Sequence, residues 1–232
     1  MFYIIMIVIF VVSLIIQGRL KSLVSKYSQI PVASGITANE AVRQMLQAND
    51  AFGLVIKHTG GELTDCYNSK EGAIYLSDTT YERNSIAAVA IAAHEAGHAL
   101  QDIKGMTGYR IRQLIAPVVN FCSQAGIYVC IAGVMLSYFI EKDAGGIGYY
   151  ISTAGIVMYS VAVIFYAVTL WIERDASRRG WKAMQEFGWV SDEQLGAAKK
   201  LLWAAGDTYA IALASSAVTL LRLLAMRGGR RR

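Results

Sequence analysis

Two histidines four residues apart, with a glutamate directly after the first, make up His94-Glu95-Ala96-Gly97-His98. On a helix that spacing sets both imidazoles on one face, where they can grip one Zn2+. Glu95 lies one residue round the helix and can reach a water on such a metal. The chemistry open to this group is hydrolysis: a Lewis-acidic metal polarises a carbonyl and acidifies water, while the carboxylate takes the water's proton and returns it to a leaving amine. The alternative is a pair of ordinary core histidines beside an unrelated acid. The apolar approach from Ile86 to Ala93 counts against it, because polar groups buried at the end of such a run cost roughly 2–7 kcal/mol each unless something pairs them.

A catalytic zinc needs a third protein ligand and an open position. With three histidines in the chain, His58 is the one nitrogen ligand left, and Gln101 and Lys104 stand where the metzincin extension has Gly and His. Carboxylates are the other source. Glu173-Arg174-Asp175-Ala176-Ser177 follows directly on a long apolar stretch, although from that position alone Glu173 could equally be a solvated interfacial charge. Cysteines add nothing: Cys122 and Cys130 lie in an apolar run and Cys66 among polar residues, so neither a Cys-x-x-Cys knuckle nor a disulfide framework can form.

The elements that must position these residues are dictated by a bilayer. Of 232 residues 55% are hydrophobic and 17% charged, with mean hydropathy +0.39, which excludes both a purely soluble enzyme and a disordered chain. Residues 1–18, 113–140 and 144–172 are free of charge, and each is long enough to cross about 30 Å of hydrocarbon as a helix. The net charge of +5 comes from basic residues flanking these stretches, such as Arg19 and Lys21, Arg110 and Arg112, and Arg178 and Arg179. They read as anchors against the lipid bilayer and as topology signals, not as a nucleic-acid surface with interleaved aromatics.

The first stretch has no basic residue ahead of it and no Ala-x-Ala site behind it, so it reads as an uncleaved anchor with its N-terminus outside. Residues 19–112 then face the cytoplasm, 141–146 form an external turn, and the chain from Glu173 is cytoplasmic again. The charge count agrees: 16 Lys and Arg fall in 19–112 and 173–207, and one in the turn. A fourth apolar stretch, Thr208 to Leu221, is 14 residues long before Arg222. A span there would put the terminal arginines outside, against the positive-inside rule, so spanning and interfacial placements both stay open.

Between the first two spans, Thr37-Ala-Asn-Glu40 predicts a capping box opening a helix through Leu46. Residues 53–58 and 72–77 read as strands. A second helix is expected from near Thr79 to about Gln101, ending before Gly105. Residues 181–206 read as two short helices with a cap at Ser191-Asp-Glu-Gln194.

Longer pieces carry a family resemblance: Lys21 to Ser28, Ala33-Ser-Gly-Ile-Thr37, Gly61-Glu-Leu-Thr-Asp65, Leu76-Ser77, Ala92 through Gln101, Pro117-Val-Val-Asn-Phe121 and Ala176-Ser177. From the first apolar helix to about residue 206 the chain resembles the bacterial membrane-bound neutral zinc metallopeptidases often called YugP-like. Its layout of H-E-x-x-H, membrane hairpin and later Glu is also similar to that of the HtpX-like membrane proteases. That resemblance implies Glu173 as the third zinc ligand. One position departs: where the family usually reads Leu-Thr-Asp-His-Tyr, the chain has Cys66 before Tyr67, either an inert residue or a thiolate that touches the metal.

The expected fold is mainly α: a helical integral membrane protein with a small α+β, zincin-like cytoplasmic subdomain carrying the H-E-x-x-H helix. The expected organisation is an anchor (1–18), a metalloprotease subdomain (19–112), a transmembrane hairpin (113–172), cytoplasmic helices with the third ligand (173–206) and a C-terminal apolar helix with a basic tail (207–232). The expected activity is that of a Zn2+-dependent, gluzincin-type endopeptidase of the cell membrane, multi-pass, with His94, His98 and Glu173 on the metal, Glu95 as general base and the active site at the cytoplasmic face. Its substrates would be membrane-associated or misfolded proteins or peptides. Tyr67, Tyr166 and Arg174 are candidates to stabilise the oxyanion. The alternatives are a site-2-type intramembrane protease, disfavoured because Glu82, Arg83, Asp102 and Lys104 leave the motif helix too short an apolar run, and a membrane scaffold with structural zinc.

Overall fold

Six helices and three strands make up the computed structural model, which describes residues 2–139 and 146–228. The turn expected at 141–146 falls, but for Gly146, outside the described residues, as does the end of the basic tail. In chain order the elements are α1 (Phe2–Tyr27), α2 (Ala38–Gln47), β1 (Val55–His58), β2 (Cys66–Asn68), β3 (Ala73–Leu76), α3 (Ile86–Ile103), α4 (Thr107–Phe139), α5 (Ile147–Glu186) and α6 (Asp192–Gly228). The helices α1, α4, α5 and α6 are long and apolar enough to cross a membrane, and α3 is not among them. The chain divides into two units, one helical (Met1–Ser13, Ile111–Leu170, Tyr209–Arg232) and one mixed (Leu14–Arg110, Trp171–Thr208).

Within the helical unit, α4 and α5 meet through glycines seven residues apart, Gly126 and Gly133 on one, Gly148 and Gly155 on the other. A Cβ at any of them would collide with the facing helix. In lipid, where apolar side chains gain little by leaving the solvent, such backbone approach is what holds helices together. Apolar side chains meanwhile point outward, Ile7, Phe10, Leu114, Phe121 and Ile164 each being more than 60% exposed. The stretch from Thr208 is no separate segment: it belongs to a continuous α6. Its Arg222 lies over the Tyr3 ring at 5.1 Å and donates to Met6 Sδ at 3.5 Å, and Arg227 donates to Thr153 Oγ1 at 2.9 Å.

The mixed unit is built on α3. Residues Ile86, Val89, Ala90, Ala93 and Ala96 are buried, as are Val42 and Met45 of α2 and Ile74 and Leu76 of β3. The capping box forms as its sequence predicts, Glu40 N–H donating to Thr37 Oγ1 while Thr37 N–H donates to Glu40 Oε2. The sheet order is β1-β3-β2, with β1 parallel to β3 (Val55 opposite Ala73) and β2 antiparallel to it (Tyr67 opposite Ile74). Strand β2 has three residues, too few for a period-two pattern to show in the sequence.

Three expectations need correcting. The motif helix starts at Ile86, not near Thr79: turns bonded to Ser77 O and a left-handed Glu82 (φ 55°) occupy the interval, and Ser85 then caps the helix with Oγ accepting from Ala88 N–H. Second, the hairpin's second helix and the helix expected after residue 172 are one: α5 runs unbroken to Glu186, where Gly188 at φ 65° stops it. Third, the two short helices expected in 181–206 are the end of α5 and the start of α6, with Ser191 as the cap between them.

Close approach of α5 to α3 depends on two glycines. A Cβ on Gly97 would lie 2.7 Å from Ala176 O, and one on Gly180 would lie 2.9 Å from the Ala93 carbonyl carbon. Both obstacles are backbone. Gly97→Ala should therefore destabilise the protein by about 1–3 kcal/mol and weaken metal binding at the flanking histidines. Thermal melting and zinc titration check this, and an unchanged melting point with unchanged zinc affinity would disprove the contact.

Candidate metal centre

Helix α3 presents His94 and His98 one turn apart, and α5 brings Glu173 against both. The carboxylate Oε2 lies 3.3 Å from His94 Nε2 and 3.4 Å from His98 Nε2. These three donor atoms all lie within 4.8 Å of one another. The Glu173 side chain is 3% exposed, against 15% and 9% for the two histidines. A buried carboxylate demands compensation by a cation or by hydrogen bonds. For His98, burial alone would lower the imidazole pKa, but the Glu173 carboxylate outweighs it and Glu95 adds to the effect, so the net direction is up.

The outer ring nitrogens are already engaged. His98 Nδ1 is 2.9 Å from Gln101 Oε1, an acceptor, so Nδ1 carries a hydrogen and in the neutral ring the lone pair is on Nε2. His94 Nδ1 lies 3.1 Å from Ser177 Oγ. The Nε2 atoms of two imidazoles and a carboxylate oxygen thus converge on one point, where either protons or a metal cation must stand among them. The donor set of two nitrogens and one oxygen suits zinc and leaves a fourth coordination position for a substrate or water. Glu95, 9% exposed, follows His94 on the same helix.

The sequence profile of the family described as "Putative neutral zinc metallopeptidase" matches residues 2–228. The chain belongs to this family. Among curated proteins, "Putative membrane protease YugP" of Bacillus subtilis (strain 168) is 32% identical over 208 residues, covering 90% of this chain and 88% of that protein. No solved structure matches. Zinc is therefore the metal of this peptidase family, and His94, His98 and Glu173 form its candidate site here.

The other residues weighed from the sequence are not among the three converging ligands. His58, at the end of β1, bonds through Nε2 to Asp78 Oδ1 at 2.7 Å and meets the Tyr81 ring edge-on; both partners of the bond are about half exposed. Cys66 is not in the ligand group, and burial together with the charges of Glu95, Asp65 and Glu71 pushes its thiol up in the metal-free protein. The Tyr67 hydroxyl donates to Asp102 Oδ2 at 3.0 Å, and burial and that carboxylate hold its proton more firmly than usual. Arg174 is paired to Asp207 at 2.8 Å, and Tyr166 belongs to the helical unit.

Sequence reasoning missed Gln101, Ser177 and Asp175 as partners of the site. A usable signal was present for two of them. Gln101 stands three residues after His98 and Ser177 four after Glu173, spacings that return each to the same helix face as a ligand.

Proposed function

We propose that the protein is a multi-pass membrane zinc endopeptidase of the gluzincin type, its site on a zincin-like cytoplasmic subdomain. The observation that carries this reading is the convergence of His94 Nε2, His98 Nε2 and Glu173 Oε2 beside Glu95. Bound zinc supplies Lewis acidity toward a carbonyl and makes a water easier to deprotonate. Glu95 accepts that water's proton and passes it to the departing amine. His94, His98 and Glu173 would hold the metal, and the Glu173 charge would offset part of the cation's. Among the described residues the cluster has three members, which supports a catalytic site over a closed structural one.

Location supports the substrate class. A site on a subdomain tethered by apolar helices meets membrane-associated or misfolded chains first, and the basic residues in 19–112 and 173–207 favour the cytoplasmic side. In a background lacking Cys66, Cys122 and Cys130, Ser69→Cys should resist an impermeant thiol reagent in intact cells and react after lysis. Labelling from outside would reverse the orientation.

The direct test is zinc content of the purified protein together with hydrolysis of an unstructured protein in detergent. We expect about one zinc per chain, loss of hydrolysis with a chelator and recovery with added zinc. Stoichiometric zinc with no hydrolysis of any unfolded substrate would favour the scaffold reading.

A further inference from the structure

We propose that Gln101 is a positioning residue that locks His98 in the tautomer a metal requires, leaving His94 as the adjustable ligand of the pair. The proposal rests on the zinc reading above and adds a division of labour between the two histidines.

Gln101 is completely buried. Its Nε2 lies 2.9 Å from Ile172 O and 2.9 Å from Asp175 Oδ2. A backbone carbonyl and a carboxylate can only accept, so both amide hydrogens are committed and the amide cannot turn over. A flip would press Oε1 against two acceptors and leave the amide hydrogens facing His98. Oε1 is thus fixed opposite His98 Nδ1, which must donate. Asp175 is held in turn, since Arg179 Nε donates to Oδ2 at 2.6 Å. The chain of donors therefore runs from Arg179 to Asp175, and from His98 through Gln101 to the same carboxylate and to the carbonyl just before Glu173. One amide sets the His98 tautomer and ties the histidine helix to the segment that carries the third ligand.

His94 has no such lock. Its Nδ1 faces the hydroxyl of Ser177, which can donate or accept by rotating. With Nε2 3.3 Å from Glu173 Oε2, His94 is satisfied before metal arrives as the Nε2–H form, its Nδ1 accepting from Ser177. Binding must move that proton to Nδ1, where Ser177 can accept it, whereas His98 is already set.

The experiment uses the full chain in detergent and reads zinc affinity by chelator competition. Gln101→Glu keeps an acceptor for His98 but sets its second oxygen against Ile172 O and Asp175, and should weaken zinc by roughly 10–100-fold. Asp175→Asn alone should change little, because its amide oxygen can still accept from Gln101. Combined with Gln101→Glu it provides the missing donor and should restore zinc binding to within a few-fold of wild type. Ser177→Ala should cost less than Gln101→Glu.

A second reading needs neither a variant nor zinc. Nitrogen chemical shifts of the metal-free wild type at alkaline pH should show His98 as the Nδ1–H form and His94 as the Nε2–H form. Wild-type affinity in Gln101→Glu, a double variant as weak as the single, or an Nε2–H form of His98 would each overturn the proposal. Failure of the zinc reading would look different: the wild type would not bind zinc while His98 still showed the Nδ1–H form.

Discussion

Glu95→Gln protein should retain its zinc and lose hydrolysis of unfolded substrate by about 10²–10⁴-fold or more. The amide keeps the shape and volume of the carboxylate, so the packing of α3 is undisturbed at a residue that is 9% exposed. What it lacks is basicity. The three converging donor atoms belong to His94, His98 and Glu173, and none is touched by the substitution. Zinc content and activity should therefore separate in this variant. Zinc falling in step with activity would place Glu95 among the ligands, and hydrolysis at the wild-type rate would move the catalytic centre elsewhere.

The pentapeptide could be read in the sequence because metal chemistry constrains residue type and spacing together, and because an alanine-rich helix bearing three polar groups is costly without a partner. Three of the four long apolar helices and the Thr37 capping box are legible for similar reasons, each a local pattern with one physical cause, whereas Arg222 hid the length of α6. What the sequence hides is tertiary. Glu82 takes a left-handed backbone and its N–H goes to Asn39 Oδ1, a distant partner that delays the motif helix to Ile86. Charges after residue 172 suggest a helix leaving the membrane and ending. They instead lie on a continuous α5, because its Gly180 and the facing Gly97 let that helix lie against α3. The glycines of α4 and α5 likewise carry meaning only once the facing helix is known.

That continuity bears on the third ligand. Glu173 sits inside α5, its backbone held in register by the helix and by Ile172 O accepting from Gln101. The amide of Glu173→Gln fits the same space but carries no charge for His94 Nε2 and His98 Nε2 to face at 3.3 and 3.4 Å, and removing one partner of a buried pair is destabilising. The metal-free variant should therefore melt below the wild-type temperature. Zinc should no longer raise it, since a ligand stabilises only the state it binds. Affinity should fall by more than the roughly 10–100-fold that losing an outer-shell partner costs, and hydrolysis should vanish with it. His58→Ala breaks an exposed bond to Asp78 and a ring contact with Tyr81, neither of which involves the cluster, so both zinc and activity should survive. Zinc retained in Glu173→Gln and lost in His58→Ala would transfer the third position to His58, and the convergence of α3 and α5 at Glu173 would then need another purpose.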